Sequence, residues 1–292
     1  MTEYNKSKMY CVIAMIGWGS MFIAAKLAFT ALSGFMLIFF RYLIASILLT
    51  IFYRKIPCPK LTKEDKKNIL FIGVLGYFLS NGLQLIGTKF IAASIAAIIN
   101  AITPVIIILF AVIILKEKSS IQQFIGILIT VIGSIVIIGN VEGVSSILGV
   151  IISFTGMILW GLSSVMIRKC CTNIEGIWVT IYGMFIAMVA DTPFMIYEII
   201  KNGIPQFTPV VLFAVLWLGV VPTAISNLFW SKALENLSAA NCSLFYALLP
   251  VVTTILGIII LKENITINFI IGGTIIIAGM IVAVLGENKK EV

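Results

Sequence analysis

Polar and aromatic side chains inside long apolar runs are the residues of this chain that could do chemistry, because a polar group in hydrocarbon needs a partner. Amides and hydroxyls supply hydrogen bonds, whereas Trp and Tyr offer a flat ring with one polar atom. The candidates are Trp18, Ser20, Asn81, Gln84 and Asn100, followed by Trp160, Ser163, Asn227, Trp230 and Tyr246. We expect them to line a watery cavity that binds a small molecule. The alternative is that they hydrogen-bond neighbouring helices, with the tryptophans at the membrane interface.

The charged residues Lys26, Arg41 and Asp191 lie within apolar runs. Arg41 lies well inside its run, where a charge costs about 2.5–3.5 kcal/mol on insertion scales. It is interpreted either as an anchor for a substrate carboxylate or as a structural partner of backbone carbonyls. Lys26 lies near the end of its run, where its stem can reach the interface. Asp191 precedes Thr192 and Pro193, which favours a cap after a helix break over a proton carrier.

Catalytic chemistry has little support in this sequence. The chain contains no histidine, which removes the commonest catalytic base and the commonest proton relay. The sequence has no paired carboxylates, nucleophile elbow or phosphate-binding loop, and its five cysteines lack metal-ligand spacing. We therefore expect a protein that is not an enzyme and that needs neither a metal nor a cofactor.

The elements that carry these residues are predicted to be transmembrane helices. Apolar residues make up 61% of the chain and charged residues 11%, against roughly half and a quarter in soluble domains. A helix of about 20 apolar residues crosses the hydrocarbon core, and backbone amides in lipid must be satisfied within such a helix. The apolar runs are 9–30, 33–53, 68–88, 90–115, 119–141, 143–167, 177–200, 202–231, 236–261 and 264–286. They predict an all-α integral membrane protein with ten transmembrane helices.

The distribution of charge predicts the orientation of the chain. With a cytoplasmic N-terminus, most of the 20 Lys and Arg residues lie in cytoplasmic segments, as the positive-inside rule requires. Both termini are therefore expected in the cytoplasm, and the chain in a bacterial cytoplasmic membrane. The net charge of +8 is spread over short loops, so no nucleic-acid partner is expected. The expected partners are the lipid bilayer and a small-molecule substrate.

The sequence contains an internal repeat. Aligned on itself at one offset, the chain pairs Ser80-Asn81 with Ser226-Asn227, Pro104 with Pro250, Lys116-Glu117 with Lys262-Glu263, Gly126 with Gly272, and Gly133 with Gly279. We predict one five-helix repeat over 1–140 and a second over 141–292. Because five is odd, the second repeat must enter the membrane in the opposite orientation, which is an arrangement typical of secondary transporters.

The repeated prolines and glycines have mechanical interpretations. Pro104 and Pro250 fall within long apolar runs, where a lost backbone hydrogen bond would create a hinge. The alternative is that proline is simply more frequent in membrane helices. The glycines recur at seven-residue spacing, which puts them on one helix face and predicts close packing between the two halves or between protomers. The expected assembly is a monomer or a homodimer.

The chain has a Trp18-Gly19-Ser20 stretch up to Lys26, the charged Arg41, and a repeated Pro to Lys-Glu stretch before a Gly-rich helix. This combination resembles the ten-helix EamA branch of the drug/metabolite transporter superfamily. This resemblance implies an exporter of amino acids or related metabolites, with a cavity between helices 1, 3, 4, 6, 8 and 9. Smaller four-helix relatives exchange protons for cations through a glutamate in their first helix. Residues 9–30 contain no acidic residue.

The sequence therefore predicts a secondary transporter that exports a small metabolite by alternating access. Two alternatives remain open at this point. One is a multidrug or organic-cation efflux transporter, and the other is a membrane scaffold or sensor that transports nothing.

Overall fold

The computed structural model describes residues 2–57, 59–87, 90, 99–100, 102–138, 147–261 and 267–286, and none of these residues forms a strand. The helices of the first half are α1 (Glu3–Ala28), α2 (Gly34–Tyr53), α3 (Lys63–Gly87), α4 (Thr103–Leu115) and α5 (Ile121–Ile138). Those of the second half are α6 (Ile147–Cys171), α7 (Gly176–Asn202), α8 (Pro209–Asn236), α9 (239–261) and α10 (Ile267–Leu285). The chain is all-helical over the part that the structure describes.

Six of these helices, α1, α2, α3, α6, α7 and α8, are long and apolar enough to cross a membrane. The remaining four contain shorter apolar helices within the described residues. Length and composition therefore give six candidate membrane spans among the described residues, and the total of ten spans stays a prediction.

The start of several helices is fixed by local sequence. A Ser or Thr hydroxyl at the N-cap accepts a hydrogen bond from the backbone N–H three residues later, which satisfies an otherwise unpaired donor. These N-caps are Thr2, Ser33, Thr62, Thr208 and Ser238. At Thr62 the carboxylate of Asp65 also accepts from the cap residue's own N–H, which completes a capping box.

Two helices contain π-helical turns at positions that the sequence repeat makes equivalent. These turns are Ile72–Ser80 in α3 and Gly219–Ile225 in α8. Directly after each, an asparagine turns back onto the carbonyls that the wider turn leaves accessible. Asn81 Nδ2 donates to Gly76 O and Tyr77 O at 3.3 and 3.0 Å. Asn227 Nδ2 donates to two carbonyls at 3.2 and 2.8 Å, and the two helices therefore share one local structure.

The glycine faces of α5 and α10 pack directly against each other. A Cβ built on Gly126 would lie 2.5 Å from Gly279 O, and one on Gly133 would lie 2.8 Å from Gly272 O. Gly126 of α5 lies against Gly279 of α10, and the later Gly133 lies against the earlier Gly272. The two helices therefore run antiparallel. The glycine face thus joins the two halves of one chain, as one of the two sequence interpretations proposed.

The main core lies between α1, α2, α3, α4, α6, α7, α8 and α9. Large rings fill it, including the fully buried Tyr42, Tyr77 and Trp230. The outward faces of α5 and α10 carry exposed apolar residues such as Phe124, Leu128 and Ile277, as expected for surfaces in contact with lipid. The core helices surround one polar cavity, which is described next.

Candidate functional site

A cavity lies among α1, α2, α3, α6, α8 and α9. Eight of the predicted residues line it: Trp18, Arg41, Asn81, Gln84, Asn100, Trp160, Asn227 and Tyr246. Met21 and Leu249 complete its wall. The space open to the centre of a water-sized sphere is about 40 Å³, room for only a few water molecules at about 10–15 Å³ each. The lining comes from both halves of the chain.

Aromatic rings form one side of the cavity. Trp18 contacts Trp160 edge to face with ring centroids 5.5 Å apart, and it contacts Tyr246 at 5.9 Å. Trp18 Nε1 donates to Pro222 O at 3.0 Å, and Trp160 Nε1 donates to Tyr246 Oη. Because each indole N–H has a partner, the rings are held in fixed orientations and turn their faces and edges towards the cavity.

Arg41 is 3% exposed and brings a positive charge to the cavity. Its Nε donates to Thr223 Oγ1 at 2.9 Å, and Thr223 in turn donates to Leu218 O at 2.6 Å. Within the described part of the chain, its two terminal nitrogens have no hydrogen-bond partner and no carboxylate pairs with them. The guanidinium is therefore positioned by a side-chain hydroxyl, and its terminal N–H groups can bind an anionic group.

Amide oxygens supply hydrogen-bond acceptors to the same cavity. The nitrogens of Asn81 and Asn227 are engaged by backbone carbonyls, and Gln84 Nε2 donates to Ser80 Oγ at 3.2 Å. Among the described residues, the side-chain oxygens of these three amides accept no hydrogen bond. A ligand that carries both an acidic group and an N–H or O–H donor could thus bind Arg41 and the amides together.

Three predicted site residues lie outside the cavity lining. Ser20 Oγ donates to Gly17 O at 2.7 Å and accepts from Trp217 Nε1 at 3.0 Å, which ties α1 to α8. Ser163 is fully buried where α6 packs on α3. Trp230 is also fully buried, and it lies behind Trp18 and Tyr246 with centroid distances of 5.5 Å to each. These side chains pack the wall rather than face the cavity.

Both predicted hinge prolines lie in the first turn of a helical segment. Pro104 is the second residue of α4. Pro250 follows the 3₁₀ turn Leu244–Ala247 and is the third residue of the α-helical segment Leu248–Leu261. In a first turn the backbone N–H has no partner to lose, so proline fits without breaking a hydrogen bond. The prolines therefore mark changes of helix type, and a hinge at them stays a prediction.

The capping interpretation of Asp191 is wrong. Helix α7 continues from Gly176 to Asn202 through Pro193, so Asp191 begins no segment. Its side chain is completely buried, and neither carboxylate oxygen has a hydrogen-bond partner among the described residues. The side chain of Lys26 and the whole of Cys58, Lys262 and Glu263 lie outside what the structure describes.

A polar network closes the end of the bundle at which α4 and α6 end and α9 begins. Both oxygens of Glu117 accept hydrogen bonds, one from Ala239 N and one from Ala240 N, each at 3.1 Å. Arg168 Nε lies 3.8 Å from Glu117, and its Nη1 donates to Leu234 O at 2.7 Å. The sequence suggests that Glu117 favours the N-terminus of the next helix. The structure places it instead at the N-terminus of α9, which tertiary packing brings near.

Comparison with known proteins identifies the fold and the family. The model of the EamA-like transporter family matches residues 6–139 and 147–285. The uncharacterized transporter YyaM of Bacillus subtilis is 26% identical over 76% of this chain and 74% of its own length. A "Probable terminal-alkyne amino-acid exporter" of Streptantibioticus cattleyicolor is 23% identical over 95% of this chain and 93% of its own.

A solved crystal structure with 18% sequence identity superposes with a TM-score of 0.80, covering 96% of this chain and 98% of that one. At this identity the likeness supports the fold alone. The family model, in contrast, covers nearly the whole sequence in two successive matches. The chain therefore belongs to the EamA-like transporter family and is a multi-pass membrane transporter.

Proposed function

We propose that this protein is a secondary transporter that exports a small metabolite, such as an amino acid or a related compound, across the bacterial cytoplasmic membrane by alternating access. The observation that carries the proposal is the cavity between the two halves. It combines the buried guanidinium of Arg41 with three amide oxygens and an aromatic wall. A zwitterionic or anionic metabolite with a hydrogen-bond donor complements this combination.

The proposed architecture is two inverted five-helix repeats, 1–140 and 141–292, with ten transmembrane helices in total. The matching π-helical turns and their asparagines in α3 and α8 support a structural repeat. The antiparallel contact of α5 with α10 supports the opposite orientation, because these helices occupy equivalent places in the two repeats. Inverted repeats give such transporters two alternative packings around one site.

The size of the cavity supports alternating access. Within the described residues, the space open to the centre of a water-sized sphere is about 40 Å³, enough for a few waters. The network of Glu117 and Arg168 joins the helix ends on the predicted cytoplasmic side. Separation of the helices at one end would give a metabolite more room, and opening at one end at a time would prevent a leak.

The two competing functions have weaker support. An organic cation is stabilised by a nearby carboxylate and repelled by a cation, and the described lining of this cavity has Arg41 and no acidic residue. A scaffold that binds no small molecule has no need for a polar cavity lined by both halves, whereas a sensor would bind a ligand there without moving it across the membrane. Measuring the flux of labelled compounds into liposomes separates these functions directly.

The transport test uses purified protein in liposomes and a pool of labelled L-amino acids, with protein-free liposomes as the control. The proposal expects flux of at least one compound that saturates with concentration. Flux of lipophilic cations alone would support the organic-cation alternative, and no flux of any compound would contradict transport of this substrate class.

The topology test uses single cysteines at exposed positions after α2 and α7, Lys60→Cys and Asn202→Cys, in a variant with Cys58 replaced by Ser. Background labelling should be low because Cys11, Cys170, Cys171 and Cys242 are buried. An impermeant maleimide applied to whole cells should label Asn202→Cys, and it should label Lys60→Cys only after permeabilisation. Labelling of both from one side would contradict the inverted arrangement.

A further inference from the structure

Asp191 is an acidic residue in the interior of the bundle that the cavity does not use. It lies 15 residues after the first residue of α7, roughly 22 Å along the helix axis, and is therefore far from the start of that span. Its side chain has no exposed surface, and neither oxygen has a hydrogen-bond partner among the described residues. An ionised carboxylate in such surroundings is strongly disfavoured, because it has lost water and gained no partner.

The surroundings of Asp191 are apolar towards the end of α7. One turn further along, Phe194 stacks on Phe35 of α2 with ring centroids 5.1 Å apart, and it contacts Phe78 of α3 at 5.5 Å. Towards the other end, Tyr53 of α2 and Trp178 of α7 line the same small cavity. The two helices therefore run antiparallel, and Asp191 is enclosed at their interface with α3.

Few titratable or charged groups face Asp191 from the helices packed on α7. Helix α2 contributes Arg41 and Tyr42, and Tyr42 lies within electrostatic range of Asp191. Helix α3 contributes Tyr77. The remaining titratable or charged residues of these helices and of α6 and α8 lie at the far end, near the start of α7: Tyr53, Lys63, Glu64, Asp65, Lys66, Lys67, Arg168, Lys169, Cys170, Cys171, Lys232 and Glu235. No described cation pairs with the Asp191 carboxylate.

A short series of hydrogen bonds connects this region to the cavity. Tyr42 Oη donates to Tyr77 O at 2.6 Å, and the same carbonyl accepts from Asn81 Nδ2 at 3.0 Å. Asn81 lines the cavity, as does Arg41, which precedes Tyr42 on α2. Any shift of α2 against α7 therefore changes the cavity lining and the surroundings of Asp191 together.

We propose that Asp191 is the proton-binding group that couples substrate movement to a proton gradient. In the described conformation the carboxyl group is protonated and neutral. When α2 and α7 separate in the opposite conformation, water reaches the carboxyl group, and its O–H proton passes to water and leaves a carboxylate. This inference rests on the proposed transport function, and it adds the coupling ion and the residue that binds it.

The first test needs no substrate. A hydrophobic carbodiimide adds to a protonated carboxyl group: the acid proton moves to a carbodiimide nitrogen, and a carboxyl oxygen bonds to the central carbon. The acyl group then moves from that oxygen to a nitrogen of the reagent, so the C–O bond breaks as a C–N bond forms, and the stable N-acylurea retains the whole reagent and is detected on the peptide by mass spectrometry. We expect labelling of Asp191 in detergent-solubilised protein at acidic pH, a decline as pH rises, and no labelling in Asp191→Asn. Labelling that does not depend on pH, or no labelling of Asp191 at any pH, would overturn the proposal.

The second test measures coupling in liposomes loaded with a pool of labelled L-amino acids. At one proton per substrate, a gradient of about one pH unit can drive roughly tenfold accumulation. Asp191→Asn should lose this gradient-driven part and keep exchange at equal pH, and Asp191→Glu should restore coupling in part. Glu198→Gln is the matched control, because Glu198 is a partly exposed acid on the same helix that is hydrogen-bonded to Asn202.

The outcomes separate this inference from the transport function. Wild-type flux that does not depend on the pH gradient, or full coupling in Asp191→Asn, would overturn the proposed role of Asp191. Neither result would contradict the proposed transport function. If no labelled amino acid moves, the proposed substrate class fails, and the carbodiimide experiment still decides whether Asp191 exchanges a proton. Gel filtration of Asp191→Asn in detergent checks that loss of coupling does not reflect loss of folding.

Discussion

The contact between α5 and α10 allows a prediction whose size follows from the structure. In Gly126→Ala the new Cβ would lie 2.5 Å from Gly279 O and 2.5 Å from Ala283 N, both backbone atoms. Ordinary contact begins at 3.4 Å, so the helices must separate by roughly 1 Å. Such overpacking costs about 1–3 kcal/mol, against a gain of about 1 kcal/mol from the higher helix propensity of alanine.

Gly273→Ala on α10 is the matched control, because nothing lies within 4 Å of its Cβ position. The control receives the same propensity gain and meets no neighbour. The difference in free energy of unfolding between the two variants therefore isolates the packing cost, and we expect Gly126→Ala to be less stable by about 1–3 kcal/mol. Unfolding in mixed micelles by SDS titration, followed by tryptophan fluorescence, measures this difference.

A double variant sharpens the test. A Cβ on Gly279 would lie 2.7 Å from Gly126 O, so Gly126→Ala and Gly279→Ala force apart the same pair of backbones. Once the helices have separated for one alanine, the second should cost less, and the two effects should not add. Equal stability of Gly126→Ala and Gly273→Ala, or strictly additive losses in the double variant, would refute the close antiparallel contact.

Three further variants test the site. Arg41→Leu should abolish amino-acid flux into liposomes while the protein still inserts, because the cavity loses its only described cation; normal flux would remove Arg41 from the site. Tyr246→Phe deprives Trp160 Nε1 of its acceptor, which should cost about 1–3 kcal/mol of stability for an unsatisfied buried donor, measurable by thermal unfolding in detergent; no loss would mean that water replaces the hydroxyl. Replacing Pro104 and Pro250 together by Ala should slow transport in vesicles more than it lowers expression, and unchanged rates would argue against hinges at these positions.

The residues that line the cavity were predictable by a simple rule. Arg41, Asn81 and Asn227 are polar groups within apolar runs, and burying them in lipid would be costly, so they turn towards the interior. The same rule does not separate cavity lining from wall packing. Ser20 hydrogen-bonds Trp217 of α8, and Trp230 packs behind the rings of Trp18 and Tyr246. A helix that is apolar on all sides gives no periodic signal for which face meets the cavity.

Other features had no signal in the sequence. Met21 and Leu249 line the cavity but are apolar residues in apolar runs, where nothing distinguishes them from core or lipid contacts. The partner of Glu117 is the N-terminus of α9, far away in the chain, so only the packing of α4 on α9 reveals it. The predicted cap at Asp191 was wrong because a proline two residues later usually disrupts a helix, whereas α7 continues through Pro193.

Because α3 and α8 contain π-helical turns, each helix should tolerate the deletion of one residue better within its π-helical segment than elsewhere. A π turn closes its hydrogen bonds one residue later than an α turn, so it holds a surplus residue. Deleting one residue within Gly219–Ile225 would let that stretch relax to an ordinary helix and leave the side of the helix that bears Asn227 facing as before. The same deletion elsewhere between Pro209 and Asn227 would rotate everything downstream by about 100°. Natural length variation in this helix should therefore concentrate in the π segment.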